Sequence, residues 1–363
     1  MNELKSALRR MPDNKSPGTD LITSFWIKSL HSLHEGLLSE LKLIYSGDNS
    51  IPEWLATSRT TLVPKNKESH LPNNFRPIAC LNSTYKLYTS ILNQFLEEHC
   101  TTNNILAFEQ AGGKKGSWGC TDQLLINRMI LDEVRTYRRN LFCMWFDYKK
   151  AYDSVSHEWL KESLKLAKVP TTLYRAIEEL TCVWATKASL HASNDTIETS
   201  TIKYLNGILQ GDCLSTLLFV LTLNPLSFLL NQKGGGYKAG KPSQRHHQIT
   251  HLLFVDDLKT YAGTKEEALN QLDLITRYTS DIGMKFGSEK CAYINVEKGQ
   301  IRSLGDKIIV NDLQISELIS DEPYKYLGID EDIRYQGELT KDRVRSEFIS
   351  RVRKIWNSNL HGR

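Results

Sequence analysis

The sequence has no Cys-x-x-Cys pair, no apolar core at its N-terminus, no internal repeat and no strong excess of charge. Each absence removes a class of protein. The seven cysteines (80, 100, 120, 143, 182, 213 and 291) are odd in number and scattered. That argues against a zinc module and a disulfide scaffold, and fits a reducing compartment. Without an apolar signal core, secretion is not expected. The net charge of +4 over 363 residues is too small to imply a nucleic-acid partner. Gly112-Gly113-Lys114-Lys115-Gly116 is glycine-rich and basic, but it lacks the spacing of a nucleotide-binding P-loop. The most apolar run, Leu214 to Leu230, is interrupted by Asn224-Pro225 and is short for a bilayer. It is expected to form a buried helix that kinks or ends at the proline, and no membrane is expected as a partner.

What is present is ordinary globular material, with 40% hydrophobic and 24% charged residues, long enough for two or three subdomains. Charge is unevenly spread. Between Arg334 and Arg363 there are eight Lys or Arg against three acids, which leaves the first 333 residues near −1. A basic tail on a neutral body suits an arm along a phosphate backbone, and equally a solvated helix face.

Residues 1 to 58 read as mainly helical. Leu37, Leu41, Ile44 and Tyr45 recur at helical spacing before Gly47-Asp48-Asn49. A β-branched strand from Arg59 ends at Lys65, and Phe75-Arg76-Pro77-Ile78 follows a polar loop. Two strands each presenting a base could clamp phosphate, or the bases could lie on the surface. Helices are expected from Leu81 to His99, from Thr121 to the arginines at 135, 138 and 139, from Ser156 to Lys168, from Thr172 to Val183, and from Lys265 to Asp281. Gly207 and Gly211 flank Gln210 before the long apolar helix, where backbone can approach a ligand closely. Cys291 to Val296 and Tyr324 to Ile329 read as further strands.

Two places stand out chemically. Leu141 to Phe146 is six consecutive apolar residues, a fully buried strand, and it stops at Asp147. Leu252 to Val255 and Leu258 to Ala262 read as a hairpin whose turn is Asp256-Asp257. Alone, the first is a cap and the second a polar hairpin tip, or each is part of a metal site. Together they are more specific. If both strands share one sheet, the carboxylates converge. Hard oxygen ligands of this kind suit Mg²⁺, and two such ions clamp the attacking and leaving oxygens of phosphoryl transfer.

At this point the chain resembles the reverse transcriptases of non-LTR (LINE-type) retrotransposons. The motifs stand in family order. Lys15-Ser16-Pro17-Gly18-Thr19-Asp20 resembles the N-terminal extension motif. Leu62-Val63-Pro64-Lys65 and Asn74-Phe75-Arg76-Pro77-Ile78 resemble the two fingers motifs. Phe146-Asp147 through Ala151-Tyr152-Asp153 resembles the first catalytic motif, Leu209-Gln210-Gly211-Asp212 the glycine-centred motif, and Phe254-Val255-Asp256-Asp257 the catalytic hairpin. Gly283 to Lys290 and Tyr326-Leu327-Gly328 resemble the next two, the last at the primer grip. The resemblance implies an α+β right-hand polymerase. Residues 1–140 would be helical fingers with an N-terminal extension, about 78–100 packing on the palm. Residues 141–330 would be an antiparallel, ferredoxin-like palm, and 331–363 the start of an incomplete, basic thumb.

The resemblance also implies roles. Asp147, Asp256 and Asp257 would be catalytic and would hold two Mg²⁺ (or Mn²⁺) ions. Lys65 and Arg76 would grip the triphosphate. Tyr152 would exclude a ribose 2′-hydroxyl, Gln210 and Gly211 would lie against the nascent base pair, and Lys290 would be a general acid toward pyrophosphate. The implied partners are an RNA template, a DNA primer and dNTPs, with nuclease and other element domains outside this chain. The implied location is intracellular, in cytoplasm and nucleus. Two departures from the family pattern stand out: prolines are missing after Asp212, which leaves the start of the following helix less fixed, and the spacing around Lys290 is loose. An alternative is a truncated or inactive remnant that binds nucleic acid without catalysis, since the sequence stops soon after its basic segment begins. An RNA-copying RNA polymerase with the same palm is disfavoured by Tyr152, where a small or polar residue would be expected.

Overall fold

The computed structural model of the chain describes residues 2–13, 15–64, 75–191, 196–233, 235–240, 247–305, 307–318, 324–331 and 337–358. The elements begin with α1 (Asn2–Arg10), α2 (Ser24–Ser29), α3 (His34–Ser46), α4 (Glu53–Ala56), β1 (Thr57–Pro64), β2 (Phe75–Cys80) and α5 (Ser83–Thr102). They continue with α6 (Cys120–Thr136), β3 (Leu141–Phe146), α7 (Ala151–Ser154), α8 (His157–Leu166), α9 (Thr171–Val183), β4 (Ala185–His191), β5 (Thr196–Glu198) and β6 (Ile202–Lys203). Next come α10 (Cys213–Gln232), β7 (Tyr237–Ala239), β8 (His247–Ile249), β9 (His251–Phe254), β10 (Asp257–Ala262) and α11 (Lys265–Asp281). The last are β11 (Ala292–Glu297), β12 (Gln300–Ile301), β13 (Ile308–Val310), β14 (Leu313–Glu317), β15 (Tyr324–Tyr326), β16 (Ile329–Glu331) and α12 (Gly337–Trp356). The fold is mixed α+β with mixed sheets.

Two compact units divide the chain. The first comprises Met1–Ser117, Tyr148–Leu229 and Arg277–Lys285. Its sheet has the order β2-β1-β4-β5, with β6 also on β4. Strand β1 runs antiparallel to β2, with Arg59 opposite Cys80, and parallel to β4, with Thr57 opposite Ala185. Helix α3 ends where expected: Gly47, at φ +82°, turns its N–H back to the carbonyls of Leu43 and Ile44.

The apolar run forms α10, and Leu214, Leu218, Phe219 and Val220 are fully buried. The helix does not end at the proline; Pro225 lies inside it. A proline at this position disturbs the carbonyls one turn earlier. The carbonyl that loses its donor is that of Leu221; the adjoining Thr222 carbonyl accepts from Trp159 Nε1 at 3.0 Å and the Tyr278 hydroxyl at 2.6 Å. Asn224 beside it is not a break either. Its side chain accepts from the Ala107 N–H and donates to the Ile105 carbonyl, both at 2.9 Å.

The second unit comprises Trp118–Asp147, Leu230–Thr276 and Phe286–Arg363. Its main sheet has the order β13-β14-β11-β3-β10-β9, with β12 on β11. Strand β3 runs antiparallel to both β10 and β11, and every one of its residues is buried. Alternation sorts them by face. Leu141, Cys143 and Trp145 join Ile130, Leu131 and Val134 of α6 in one cluster, while Phe142 stacks on Tyr293 at 5.3 Å.

The expected strand from Tyr324 to Ile329 is instead a hairpin, β15 and β16, with Tyr326 opposite Ile329. Leu327 and Gly328 turn it, both at positive φ. The basic tail forms α12. Arg343 Nε bonds Asp330 of β16 at 2.9 Å, and Val344, Phe348, Ile355 and Trp356 are exposed.

Candidate active site

The second unit gathers four of the expected residues. Leu258 lies opposite Phe146, so the antiparallel register carries Asp257 alongside Asp147. Strands β9 and β10 pair with Asp257 opposite Phe254. The two-residue turn is therefore Val255-Asp256, one position earlier than the Asp-Asp turn expected from the sequence. The difference is chemical as well as positional. Val255 has φ +57°, and Asp256 is not among the positive-φ residues. Positive φ at the first central position alone is the pattern of a type II′ hairpin, where glycine is usual. A β-branched residue there is strained, and the strain sits beside the carboxylates.

Lys290 completes the group. Gly287 N–H donates to the Asp147 carbonyl at 2.8 Å, and the short turn Ser288–Lys290 folds the chain back. Lys290 Nζ then meets Asp147 Oδ2 at 3.0 Å. A Cβ on Gly287 would stand 3.0 Å from that same carboxylate oxygen, so the turn has little room for a larger residue. The loose spacing around Lys290 is thus absorbed by a tight turn.

The electrostatics favour a cation. Burial pushes the Asp257 carboxyl up to about 6, reinforced by the charges of Asp256 and Asp147 and opposed by Lys290. Asp256 is also raised, by burial first, with repulsion from Asp147 adding to it; its own backbone and Lys290 act against this. Among the described residues, the ammonium of Lys290 faces these three carboxylates, which stand partly out of water. Among the described residues, no three His, Cys, Asp or Glu side chains are grouped closely enough to hold a metal ion. The donor chemistry does fit a hard divalent ion: acceptor-only oxygens on adjacent strands, with charge that a cation would neutralise.

The first unit holds the other expected residues. Tyr152 stacks on Phe219 at 4.9 Å, with its hydroxyl 3.5 Å from Thr216 Oγ1. Gln210 Nε2 donates to Asp153 Oδ1 at 3.4 Å. Gly211 has φ +108°, and a Cβ there would come 3.4 Å from the Ala79 carbonyl of β2, so glycine is needed for conformation and close approach. Arg76 stands in β2 opposite Val63; its side chain, and all of Lys65, lie outside the described residues.

Asp212 corrects the expectation of a loosely fixed helix start. The backbone of Cys213 and Leu214 at the head of α10 favours its charged form, and its Oδ1 accepts from Thr89 Oγ1 at 2.6 Å. It is only 5% exposed, its Oδ2 has no partner, and burial pushes it up to about 6.

Sequence reasoning missed Lys259 and Glu331, which meet in the interior of the second unit. Alternation along β10 places Lys259 on the face of Tyr261, but its partners are 132 and 72 residues away in the chain, and no local signal names them.

A family model described as "Reverse transcriptase (RNA-dependent DNA polymerase)" matches residues 63–330. The chain is 25% identical over 326 residues to the Retrovirus-related Pol polyprotein from type-2 retrotransposable element R2DM of Drosophila melanogaster, covering 88% of this chain and 29% of that protein. It is 26% identical over 317 residues to the Retrovirus-related Pol polyprotein from type-1 retrotransposable element R2 of Nasonia vitripennis, covering 85% of this chain and 29% of that protein. It is also 26% identical over 263 residues to the Transposon TX1 uncharacterized 149 kDa protein of Xenopus laevis, covering 71% and 19%. The chain therefore spans less than a third of the length of these relatives.

Proposed function

This chain belongs to the reverse transcriptase family, and from that premise we propose that it is an RNA-directed DNA polymerase core. It would add dNTPs to a primer 3′-hydroxyl against an RNA template. The gathering of Asp147, Asp256, Asp257 and Lys290 at one end of one sheet is the observation that carries the proposal. In the right-hand arrangement proposed, residues 1–140 are fingers, 141–330 the palm and 331–363 the start of the thumb.

Asp147 and Asp256 would hold two divalent ions, with Asp257 beside them. When bound, these would lower the charge on the triphosphate and activate the primer hydroxyl. The protein's own part is positioning and charge. The strained hairpin holds Asp256 at a fixed turn, and the register of β3 and β10 fixes Asp147 against Asp257. Lys290 supplies the ammonium nearest these carboxylates, and its proton is the one available to a departing pyrophosphate. Tyr152, backed by Phe219, would select against a ribose 2′-hydroxyl. Gln210, held by Asp153, and Gly211 would face the nascent pair, and Lys65 and Arg76 would grip the triphosphate.

Primer extension on an RNA template with dNTPs and Mg²⁺ tests this. Asp147→Ala or Asp256→Ala should abolish extension while circular dichroism stays that of the parent chain. Full activity in either variant refutes the assignment. Nucleic-acid binding by the parent chain without extension would instead identify a non-catalytic remnant.

A further inference from the structure

The interior of the second unit holds a buried charge that the chemistry proposed above leaves unused. Lys259 is wholly buried and its ion-pair partner Glu331 nearly so. Lys259 Nζ donates to Glu331 Oε1 and, at 2.6 Å, to Asn127 Oδ1 of α6. It also lies 4.4 Å from the ring centre of Trp145, 5.0 Å from that of Tyr326 and 5.5 Å from that of Tyr261. Glu331 is satisfied in turn by Trp145 Nε1 at 3.1 Å and Asn127 Nδ2 at 2.5 Å.

Such a pair is a poor device for stability alone. Desolvating two charges offsets their attraction, and apolar side chains of similar volume often serve as well. What it does fix is geometry. Lys259 is on β10, two residues beyond Asp257 and on the same face. Glu331 is on β16. The hairpin partner β15 carries Tyr324, whose ring stacks on Trp145 at 5.0 Å and whose hydroxyl donates to the Lys290 carbonyl at 2.9 Å. Lys290 holds Asp147. The contacts close a ring that runs from Asp257 along β10 to Lys259, across to Glu331, through the β15–β16 hairpin to Tyr324, and by way of Lys290 to Asp147.

We propose that Lys259 and Glu331 are positioning residues for the carboxylate cluster, locking the β15–β16 hairpin to the strand that carries Asp257 and so fixing Asp147 and Asp257 relative to each other. The proposal rests on the polymerase function above. Neither residue touches substrate. They act through the aim of the carboxylates, where a displacement of about 1 Å can lower a rate by about a hundredfold.

The test is the double variant Lys259→Met/Glu331→Leu, which keeps the volume and removes both charges. Thermal melting, hydrogen exchange and steady-state primer extension are measured on it and on the parent chain. The expected result is a melting midpoint close to the parent's, faster exchange over 324–331, and kcat lower by about tenfold or more with little change in KM for dNTP. Parental kcat, KM and Mg²⁺ dependence in the folded double variant overturn the proposal while leaving the polymerase function standing. If the parent chain extends no primer, the polymerase function fails and takes this proposal with it. Should the double variant not fold, Tyr324→Phe breaks the same ring at the Lys290 carbonyl. It should lower kcat without moving the melting midpoint, and unchanged kcat there overturns the proposal.

Discussion

Replacing Asp212 by asparagine should make the protein more stable at neutral pH and flatten its response to acid. The carboxyl is held up to about 6 in the folded chain against an ordinary 3.8, with burial as the main cause. Between those two pH values the folded state binds more protons than the unfolded state. Stability is then highest at low pH, falls as pH rises through the folded-state value, and stays lower above it. A shift of roughly two units corresponds to about 3 kcal/mol, an upper bound on the loss at pH 7. Asparagine removes the charge, keeps an oxygen for Thr89, and places an amide where Oδ2 has no partner. That amide must find its own acceptors, so a net gain of about 1–2 kcal/mol is the expectation. Urea unfolding followed by tryptophan fluorescence, with Trp184 buried in the same unit, measures it for both proteins at several pH values from 4 to 8. The difference between the two proteins isolates Asp212 from Asp257, which titrates in the same range. The two stability curves should diverge between pH 4 and 6 and then run parallel. Curves parallel throughout, or a less stable variant at pH 7.5, would refute the reasoning.

Three further outcomes follow, the first two from the geometry and the third from the proposed function. Val255→Gly exchanges about 1–3 kcal/mol of turn strain for the roughly 0.5–1 kcal/mol by which glycine favours the unfolded chain. Thermal melting should therefore show a small gain, and a loss would mean that the turn is unstrained. Glu331→Gln leaves the ammonium of Lys259 buried beside a neutral partner, so urea unfolding should report a loss of about 3–5 kcal/mol; a loss under 1 kcal/mol would mean that the pair is not desolvated in solution. Tyr152→Ala should let ribonucleotides enter, read as a drop in the ratio of kcat/KM for dNTP over rNTP, and an unchanged ratio would remove the gate.

Where the sequence carries a strong local signal, the structure follows it. The six apolar residues of β3 end at Asp147, and Gly47 stops α3, because continuous burial and left-handed backbone each admit few alternatives. Legibility failed where long-range contacts override local preference. Pro225 reads as a kink or an end, yet the helix continues through it, with Trp159 and Tyr278 donating to the nearby Thr222 carbonyl. Asp256-Asp257 reads as a turn, yet pairing with Phe254 draws Asp257 into the strand and forces Val255 to positive φ. Lys259 reads as one more charged residue in a strand, and only the distant Asn127 and Glu331 explain its burial. At the candidate site, the carboxylates could be named from strand ends, but the tight turn that returns Lys290 to Asp147 depends on Gly287 packing.

The central place of β3 has a consequence for how the chain folds. Its partners, β10 and β11, are synthesised long after it: Phe146 waits for Leu258, and Trp145 for Lys259 and Ala292. Pairings of such sequence separation form slowly, because loop closure must come before the contacts that repay it. Until then Leu141 to Phe146 is an unpaired apolar segment with an open edge, the kind that aggregates or engages chaperones. The carboxylates also stay apart until that pairing is complete. A chain in which β3 has not yet paired with β10 would thus lack the assembled cluster.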